Sequence, residues 1–387
     1  MSTAGIIAEY DPLHNGHAYH IKKTRETTGC ERVIVVMSGS FVQRGEPAAY
    51  SKQKRAMWAV KAGADIVLEL PVVYSLQSAD RFAFGGVSIL GAAGAKVLSF
   101  GSERPDADMI NAAAGLLNGG ALNRFLREGV KSGITYARAV TDAAEQAGEP
   151  ELSEMLKKPN FLLGAQYAAN IQKCAPDMKM CAVERKGAQH GEQVRGGYMS
   201  ASAIRKALSE KRAEDIKQAV PDWVYEYVSA LAPASLEDME QCILYRLLTT
   251  EAEALSRVCG VNEGMENLMM RGARENSLCA LLETVKSKRY TMARIKSALC
   301  CALLDIDAEL AASKPEYIRV LAMRKNAAPL LGSFTLPAVC KKADIKRLPE
   351  SAKRMIQKDM LACELRGLTR SGKGAPERDF SQKLIVV

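Results

Sequence analysis

Short apolar runs alternate with helix-length segments along the first hundred residues of the chain. Runs with the length and β-branched composition of buried parallel strands lie at residues 5–10, 32–37, 66–70 and 96–100. Longer segments between them have helical length. Strands that alternate with helices predict an α/β fold with a parallel sheet and right-handed crossovers, either open or doubly wound. Ligands of such sheets bind at the carboxyl ends of the strands, so we expect a site in the loops that follow these runs.

The pattern changes towards the middle of the chain. A last strand is predicted at residues 178–184, and a glycine-rich loop follows at 187–197. Ser200 precedes an apolar helical pattern, so we expect it to cap a helix whose first amides are free. Beyond about residue 214 the apolar spacing is helical and predicts no strand. Residues 367–387 are expected to form a loosely held, charged tail.

Composition indicates a folded protein with more than one domain. The 387 residues are 48% hydrophobic and 25% charged, which suits two or three domains with their own cores. The first ten residues lack the basic start of a secretory signal. The apolar run 298–304 is much shorter than the roughly 18 residues of a membrane span. We therefore predict a soluble, cytoplasmic protein without a membrane partner.

The net charge of +9 is concentrated near the C-terminus. Residues 314–387 hold 16 Lys and Arg against 7 Asp and Glu, so the preceding residues are balanced. This basic C-terminal section could bind a polyanion such as a nucleic acid, because clustered cations release its condensed counterions. A solvated basic surface is the other interpretation. Composition alone does not separate the two.

The candidate chemistry lies directly after the first predicted strand. Three of the four histidines, His14, His17 and His20, are found there. Free amides at a helix N-terminus attract anions, and Gly16 lets a phosphate approach the backbone. His14 and His17 add donors that can stabilise the charge that develops when pyrophosphate leaves an attacked α-phosphate. The spacing H-x-G-H therefore predicts adenylyl transfer from ATP without a covalent protein intermediate.

Two other interpretations of these histidines are weaker. They could cap the helix or fill polar gaps, but their spacing and their strand-to-helix position favour catalysis. They could also bind zinc, but H-x-G-H is too tight for a helical ligand pair, and no third ligand is evident nearby. The ten cysteines contain no C-x-x-C pair. We therefore predict no protein metal site.

A second element supports the first. Ser200, Ser202 and Arg205 at another predicted helix start offer hydroxyls, amides and a guanidinium, a set suited to the leaving β- and γ-phosphates. Capped helices with an arginine are common, so this element alone would be a weak signal. Together with the histidines it predicts that His14, His17 and Arg205 are catalytic.

These two elements resemble the signatures of the H-x-G-H nucleotidyltransferase superfamily. A narrower set of segments resembles the bacterial tRNA(Met) cytidine acetate ligases: residues 9–17, 37–47, 62–71, 100–103, 158–160, 287–294 and 319–323. The resemblance implies a Rossmann-like nucleotidyltransferase domain at residues 1–213 and a mostly helical, tRNA-binding domain at 214–387. It implies that ATP, together with Mg²⁺, activates acetate as acetyl-AMP. The acetyl group would then pass to the wobble cytidine of elongator tRNA(Met), giving N4-acetylcytidine.

The resemblance also implies which residues form each site. The ATP site would comprise Ile7, Ala8, Glu9, Tyr10, Asp11, Pro12, Leu13, His14, Asn15, Gly16, His17, Ala18, Tyr19, His20, Gly101, Asn160, Arg185 and Ser202. For RNA, one segment places cations beside an aromatic ring, which suits phosphates and a stacked base, although a solvated helix face is the plainer interpretation. The predicted tRNA contacts are Lys286, Lys288, Arg289, Tyr290 and Arg294.

Some positions depart from the family pattern or leave a choice open. Asp11, Leu13 and Ser40 replace the usual asparagine, phenylalanine and asparagine. A carboxylate at position 11 would repel phosphates unless a magnesium ion or a base bridges them. In the segment 37–47, Gln43 and Arg44 could belong to a lid or contact the acceptor, or the segment could be a mobile loop.

Two other functions remain possible at this level. One is an adenylyltransferase for a small phosphorylated metabolite, which would not need the basic C-terminal section. The other is a tRNA-binding protein with a degenerate nucleotide site, and the intact His14, Gly16, His17 and Arg205 weigh against it.

Overall fold

The structure is a computed structural model that describes residues 2–120, 136–186, 194, 196–275, 277–287, 289–372 and 374–387. Its strands are β1 Thr3–Ala8, β2 Arg32–Ser38, β3 Phe41–Val42, β4 Glu46–Pro47, β5 Ile66–Leu70, β6 Val97–Ser102, β7 Lys179–Glu184, β8 Ile318–Met323, β9 Ala338–Val339 and β10 Ile385–Val386.

Helices surround these strands. They are α1 Asn15–Thr28, α2 Lys52–Lys61, α3 Val72–Ser75, α4 Ala79–Ala92, α5 Ala107–Asn118, α6 Tyr136–Gln146, α7 Pro150–Leu156, α8 Pro159–Cys174, α9 Ala201–Ser209, α10 Asp222–Val228, α11 Glu240–Leu248, α12 Ala252–Ser256, α13 Met265–Gly272, α14 Leu278–Val285, α15 Met292–Leu304, α16 Ala308–Ala312 and α17 Glu350–Gly367. No helix in the described part of the chain is long and apolar enough to cross a membrane.

The main sheet has the strand order β10-β8-β5-β2-β1-β6-β7, with β9 paired to β8. β1 pairs in parallel with β2 on one side and with β6 on the other. The chain therefore runs from β1 through β2 to β5, then returns past β1 to β6 and β7. Strand order reverses between β1 and β6, which is where a ligand crevice opens in such sheets. The predicted α/β fold with parallel strands is confirmed.

Both faces of the sheet are buried, which explains why its strands are continuously apolar rather than alternating. Ile6 and Ile7, neighbours in β1, point into two different hydrophobic clusters. The Ile6 cluster includes residues of α1, α2, α9 and α10. The Ile7 cluster includes residues of α4 and α8 and most of the C-terminal helices. The sheet is thus the shared core of the molecule.

The expectation of no strand beyond residue 214 is wrong. β8, at residues 318–323, is fully buried and pairs antiparallel with β5. Its pattern Ile-Arg-Val-Leu-Ala-Met is too short for periodicity to separate a buried strand from a helix. From residue 213 to 312 the named elements of the described chain are helical, as predicted. The boundary between 213 and 214 stays a prediction.

The C-terminal tail is also held more firmly than expected. β10 pairs in parallel with β8, and Ile385 lies opposite Ala322. Asp379 is buried, and its Oδ2 accepts a hydrogen bond from the buried Lys52 Nζ at 2.9 Å. A charged carboxylate is stable in such a place only with a partner of opposite charge. The prediction of a loose tail is therefore wrong for this segment.

Candidate nucleotide site

A cleft of about 270 Å³ opens at the carboxyl ends of β1, β6 and β7, beside the N-termini of α1 and α9. Most of the residues predicted for ATP binding and catalysis line it: Ile7, Ala8, Glu9, Tyr10, Asp11, His14, Gly16, His17, Tyr19, His20, Gly101, Asn160, Arg185 and Arg205. The switch between β1 and β6 thus brings together residues from four distant parts of the chain.

Five residues predicted for the ATP site do not line this cleft: Pro12, Leu13, Asn15, Ala18 and Ser202. Leu13 is fully buried in the Ile6 cluster. The Asn15 side chain donates to the carbonyls of Gly197 and Gln218 at 2.9 and 2.8 Å, so it ties the start of α1 to the chain around α9. The exposed Ser202 hydroxyl contacts Ser200 at 3.0 Å. Of these five, Asn15 therefore holds together two segments that flank the cleft.

The two catalytic candidates stack on each other at the start of α1. The rings of His14 and His17 have centroids 3.6 Å apart and an interplanar angle of 18°, and the Tyr10 ring meets His17 edge-on at 4.9 Å. The His14 backbone N–H donates to His17 Nδ1 at 3.3 Å, which leaves the ring proton of neutral His17 on Nε2. His14 Nδ1 is buried and has no hydrogen-bond partner among the described residues. An unsatisfied buried nitrogen is expected where a ligand supplies the partner.

All three histidines of the cleft are neutral at neutral pH. Burial, with Arg185 and Arg205 nearby, lowers the pKa of His14 to about 3. Burial and Arg185 lower the pKa of His20 to about 4. Burial and the neighbouring His14 hold the pKa of His17 well below its usual value. In the free cleft these rings are therefore N–H donors without charge, and a bound polyphosphate would raise their pKa values.

Gly16 is required by the position of the His14 ring. A Cβ at residue 16 would lie 2.9 Å from His14 Cε1 and 3.1 Å from its Nδ1. Such contacts are closer than van der Waals distance, so any side chain at this position displaces the ring. The glycine of the H-x-G-H spacing therefore makes room for a histidine ring, in addition to the phosphate that the sequence predicts there.

A chain of hydrogen bonds positions Arg185 at the rim of the cleft. Arg185 Nη1 donates to Asn160 Oδ1 at 2.9 Å, and Asn160 Nδ2 donates to Glu103 Oε1 at 2.6 Å. The other oxygen of Glu103 accepts from the Phe161 backbone N–H at 2.8 Å, which caps the start of α8. Asn160 thus orients Arg185. Glu103, for which the sequence predicted no role, orients Asn160 in turn.

Arg205 reaches the cleft because α9 begins where predicted. The Ser200 hydroxyl accepts from the Ala203 backbone N–H at 3.2 Å, so it is the expected N-cap. One turn later, Arg205 Nη1 donates to the Asp11 carbonyl at 2.6 Å. The guanidinium therefore lies against the loop that carries the histidines.

Asp11 is paired with a base of the protein. Its Oδ2 accepts from Arg44 Nη2 at 2.7 Å, and its Oδ1 accepts from the Ala49 backbone N–H at 2.7 Å. Burial alone would raise the pKa of Asp11, but Arg44, Arg205 and Arg55 outweigh that effect and lower it. The carboxylate is thus ionised and neutralised within the fold. Arg44 is thus the base that offsets the predicted repulsion between the Asp11 carboxylate and phosphates.

The hairpin of β3 and β4 is docked rather than loose. Arg44 also binds Glu46 at 2.6 Å, and Glu46 binds Lys296 of α15 at 2.7 Å. At Gly45, with φ of +76°, a Cβ would lie 2.3 Å from the Ser297 backbone nitrogen. The hairpin is therefore packed directly on α15. Of its residues, Gln43 reaches the cleft.

A family profile described as HIGH Nucleotidyl Transferase matches residues 1–377. The tRNA(Met) cytidine acetate ligase of Thermoanaerobacter sp. (strain X514) is 35% identical over 402 aligned residues, covering all of both chains. That of Kosmotoga olearia is 34% identical and covers 92% of this chain and 88% of its own. The chain belongs to the tRNA(Met) cytidine acetate ligase family of HIGH nucleotidyl transferases.

Solved structures of a family member agree over the full length. The crystal structure of Thermotoga maritima TmcAL bound with alpha-thio ATP superposes with a TM-score of 0.92 at 30% identity, and each chain covers all of the other. An apo crystal form of the same protein superposes with a TM-score of 0.92 at 31% identity. The fold described above is therefore that of this ligase family.

Some residues that line the cleft were not predicted from the sequence. Its apolar side is formed by Phe82, Phe100, Leu163 and Tyr167, from α4, β6 and α8. Gln43, Val183, Glu184, Lys186 and Ala201 also line it. On their helices and strands these residues look like ordinary core or surface positions. Only the packing of α4 and α8 against the sheet brings the apolar ones to the cleft.

The segment predicted to contact tRNA is only partly suited to that role. Tyr290 is 3% exposed, and its hydroxyl donates to the Glu263 carbonyl at 2.7 Å, so its ring is not available to stack on a base. The Arg294 guanidinium lies over that ring, 5.0 Å from its centroid. Lys286 and Arg289 are exposed. Lys288 lies outside the described residues. The burial of Tyr290 weighs against its stacking role, and this role and the RNA contacts of the cations stay predictions.

Proposed function

We propose that the chain is an ATP-dependent ligase that activates acetate as acetyl-AMP and acetylates the wobble cytidine of elongator tRNA(Met), giving N4-acetylcytidine. The observation that carries the proposal is the buried His14 Nδ1 at the N-terminus of α1, which has no hydrogen-bond partner among the described residues. It lies close enough to Arg185 and Arg205 for their charges to lower its pKa. This is a phosphate-binding arrangement in a chain that matches tRNA(Met) cytidine acetate ligases from end to end.

In the first step an acetate oxygen attacks the α-phosphorus of ATP, and the bond to the β-phosphate oxygen breaks. His14, His17 and the first amides of α1 donate hydrogen bonds to the α-phosphate as its charge increases. Arg185 and Arg205 supply positive charge for the leaving pyrophosphate. These groups accelerate the step by position and electrostatics alone, and no side chain becomes covalently attached.

We propose that Mg²⁺ enters the site on the triphosphate. Among the described residues, no group of three or more His, Cys, Asp or Glu could hold a metal ion. Mg²⁺ commonly keeps several waters and is bound largely through substrate phosphates, so a protein cage is not needed. Asp11 is not available as a ligand because both of its oxygens have protein partners.

In the second step the amine of the cytidine attacks the acetyl carbon and AMP leaves. The phosphates of the RNA would meet the basic C-terminal section and the exposed Lys286 and Arg289. Arg294 is largely engaged with Asn262 and Glu263, so its share in RNA binding is expected to be smaller. An RNA substrate of this kind also supports the prediction of a cytoplasmic enzyme.

Transfer of labelled acetate to purified elongator tRNA(Met) tests the proposal, with ATP and Mg²⁺ present and pyrophosphate release followed in parallel. We expect pyrophosphate that depends on acetate, and label in N4-acetylcytidine. Pyrophosphate that depends on a phosphorylated metabolite instead would support the small-molecule adenylyltransferase. Tight tRNA binding with neither product would support a degenerate nucleotide site.

A further inference from the structure

Groups of both charges line the cleft. The histidines provide neutral donors, and Arg185, Lys186 and Arg205 provide positive charge. Among the described residues, its carboxylates are Glu9, Asp11 and Glu184. Asp11 is paired with Arg44, and Glu184 is exposed at the end of β7. Glu9 is the half-buried carboxylate that remains, and a carboxylate is a poor contact for a triphosphate.

Glu9 lies at the crevice of the sheet where a ligand is expected. It follows β1 directly, at the reversal of strand order between β1 and β6. Its Oε1 accepts a hydrogen bond from the Gln43 backbone N–H at 2.7 Å, which fixes the direction of the carboxylate. Its own carbonyl accepts from Arg55 Nη1 at 2.7 Å, which fixes the backbone. The side chain is thus held in place and keeps an oxygen for a ligand.

Glu9 and the apolar side chains line the same cleft. Burial, and then the Glu9 carboxylate, raise the pKa of Tyr167, so this phenol stays protonated beside Glu9. Tyr167 belongs to the same wall as Phe82 and Phe100. A planar, uncharged base fits such a wall better than a phosphate does. Glu9 therefore borders the part of the cleft that suits a nucleobase.

The histidines are poorly placed to act as a base there. His17 Nδ1 already accepts from the His14 backbone N–H at 3.3 Å, and His20 Nε2 is 3.1 Å from the Ser99 hydroxyl. His14, with a pKa of about 3, has little tendency to take a proton. An effective general base needs an acceptor that is free and basic enough at the working pH. Glu9 meets the first condition, because one of its carboxylate oxygens accepts from the Gln43 backbone N–H and the other is left for a ligand.

We propose that Glu9 is the general base of the acyl-transfer step, an inference that depends on the proposed function. The exocyclic amine nitrogen of cytidine attacks the carbonyl carbon of acetyl-AMP, and the C–N bond forms. The amine proton passes to a Glu9 carboxylate oxygen. The bond between the carbonyl carbon and the phosphate oxygen breaks, and AMP leaves with the electron pair. Glu9 then returns its proton to solvent.

Glu9→Gln separates this role from a structural one. Glutamine has the same shape, and its carbonyl oxygen can still accept from the Gln43 N–H, so the hairpin contact remains. Loss of a negative charge beside ATP should not weaken ATP binding. The matched control is Glu240→Gln, because Glu240 is also half-buried and accepts a backbone N–H, that of Leu278 at 2.8 Å, outside the cleft.

The experiment measures the two half-reactions apart, as acetate-dependent exchange of pyrophosphate into ATP and as single-turnover transfer from enzyme-bound acetyl-AMP to elongator tRNA(Met). For Glu9→Gln we expect transfer slowed by about 10²–10³-fold and exchange slowed far less, so that the ratio of the two rates falls. Glu240→Gln should leave both unchanged. Equal loss of both half-reactions in Glu9→Gln, or transfer at the wild-type rate, would overturn the role of Glu9. No acetate-dependent exchange in the wild type would overturn the proposed function instead.

Discussion

The ring of His14 lies flat against the ring of His17, with their centroids 3.6 Å apart. The two side chains therefore act as one unit, because neither ring can move without displacing the other. The His14 backbone N–H fixes the tautomer of His17, and the buried Nδ1 of His14 has no hydrogen-bond partner among the described residues. If the proposed function holds, the pair presents its donors to one phosphate group.

Replacing His17 by alanine should remove adenylate formation. A donor that stabilises developing charge contributes about 10²–10³ in rate, and loss of the ring also removes the support of His14. Acetate-dependent pyrophosphate release measures the effect. The circular dichroism spectrum and the affinity for tRNA should stay close to those of the wild type. Pyrophosphate release at the wild-type rate would show that this histidine is not catalytic.

Gly16→Ala should disturb the His14 ring without weakening α1, since alanine is a better helix former than glycine. The new Cβ would approach His14 Cε1 to 2.9 Å. We expect the KM for ATP to rise at least several-fold while the melting temperature is maintained. Gly115→Ala is the matched control, because a Cβ at that helical glycine has no neighbour within 4 Å among the described residues. An unchanged KM in Gly16→Ala would show that the ring adjusts freely.

The depressed pKa values of the histidines should make the protein less stable as pH falls. His14 titrates near pH 3 in the folded chain but near its ordinary value when unfolded. Below about pH 6 the unfolded chain thus binds more protons, and the free energy of unfolding falls by up to about 1.4 kcal/mol per pH unit for each such histidine. Urea denaturation between pH 7 and pH 4 measures this slope.

His14→Asn should reduce the change in the free energy of unfolding with pH by the contribution of one histidine. The variant is compared with the wild type at the same pH values, so that the titration of carboxylates common to both cancels. A slope in His14→Asn equal to that of the wild type would mean that the His14 ring is protonated as easily in the folded chain as in the unfolded one.

Arg44→Gln should destabilise the protein by about 2–4 kcal/mol, because it leaves the buried Asp11 carboxylate without its charged partner. Asp11→Asn should cost less, since an amide oxygen can still accept from the Ala49 N–H. The double variant should lose less stability than the sum of the two single variants. Arg257→Gln, which breaks an exposed pair with Glu253, should change the free energy of unfolding by less than about 0.5 kcal/mol. Strict additivity at positions 11 and 44 would contradict the coupling.

Tyr290→Phe should lower stability but keep RNA binding, whereas Arg289→Ala should keep stability but weaken RNA binding. The phenylalanine variant loses the hydrogen bond to the Glu263 carbonyl, so stability should fall by about 1 kcal/mol while tRNA affinity is kept. The alanine variant should keep its stability but bind tRNA more weakly, with a smaller salt dependence. Fluorescence anisotropy at several salt concentrations measures the tRNA affinity of each variant and its salt dependence. Weaker tRNA binding by Tyr290→Phe would show that the Tyr290 hydroxyl, through its bond to the Glu263 carbonyl, supports RNA binding.

Local signals in the sequence were enough for the catalytic loop. The run before residue 10 is apolar on both faces, and the H-x-G-H spacing follows at the start of a helix, so strand, loop and helix could be predicted within some twenty residues. The Ser200 cap was predictable for the same reason, because it depends on an amide three positions away. The parallel order of the sheet followed from the alternation of strands and helices.

Contacts between distant residues required the tertiary structure. Arg44 neutralises Asp11, Glu103 acts on Arg185 through Asn160, and the charge of Glu9 acts on Tyr167. The burial of Tyr290 and the pairing of β8 with β5 are of the same kind. By itself the sequence determined the elements and the chemistry of one loop, because periodicity, caps and spacing act over a few residues. Only the folded chain decided which charges are paired and which remain free, because that depends on packing between segments tens to hundreds of residues apart.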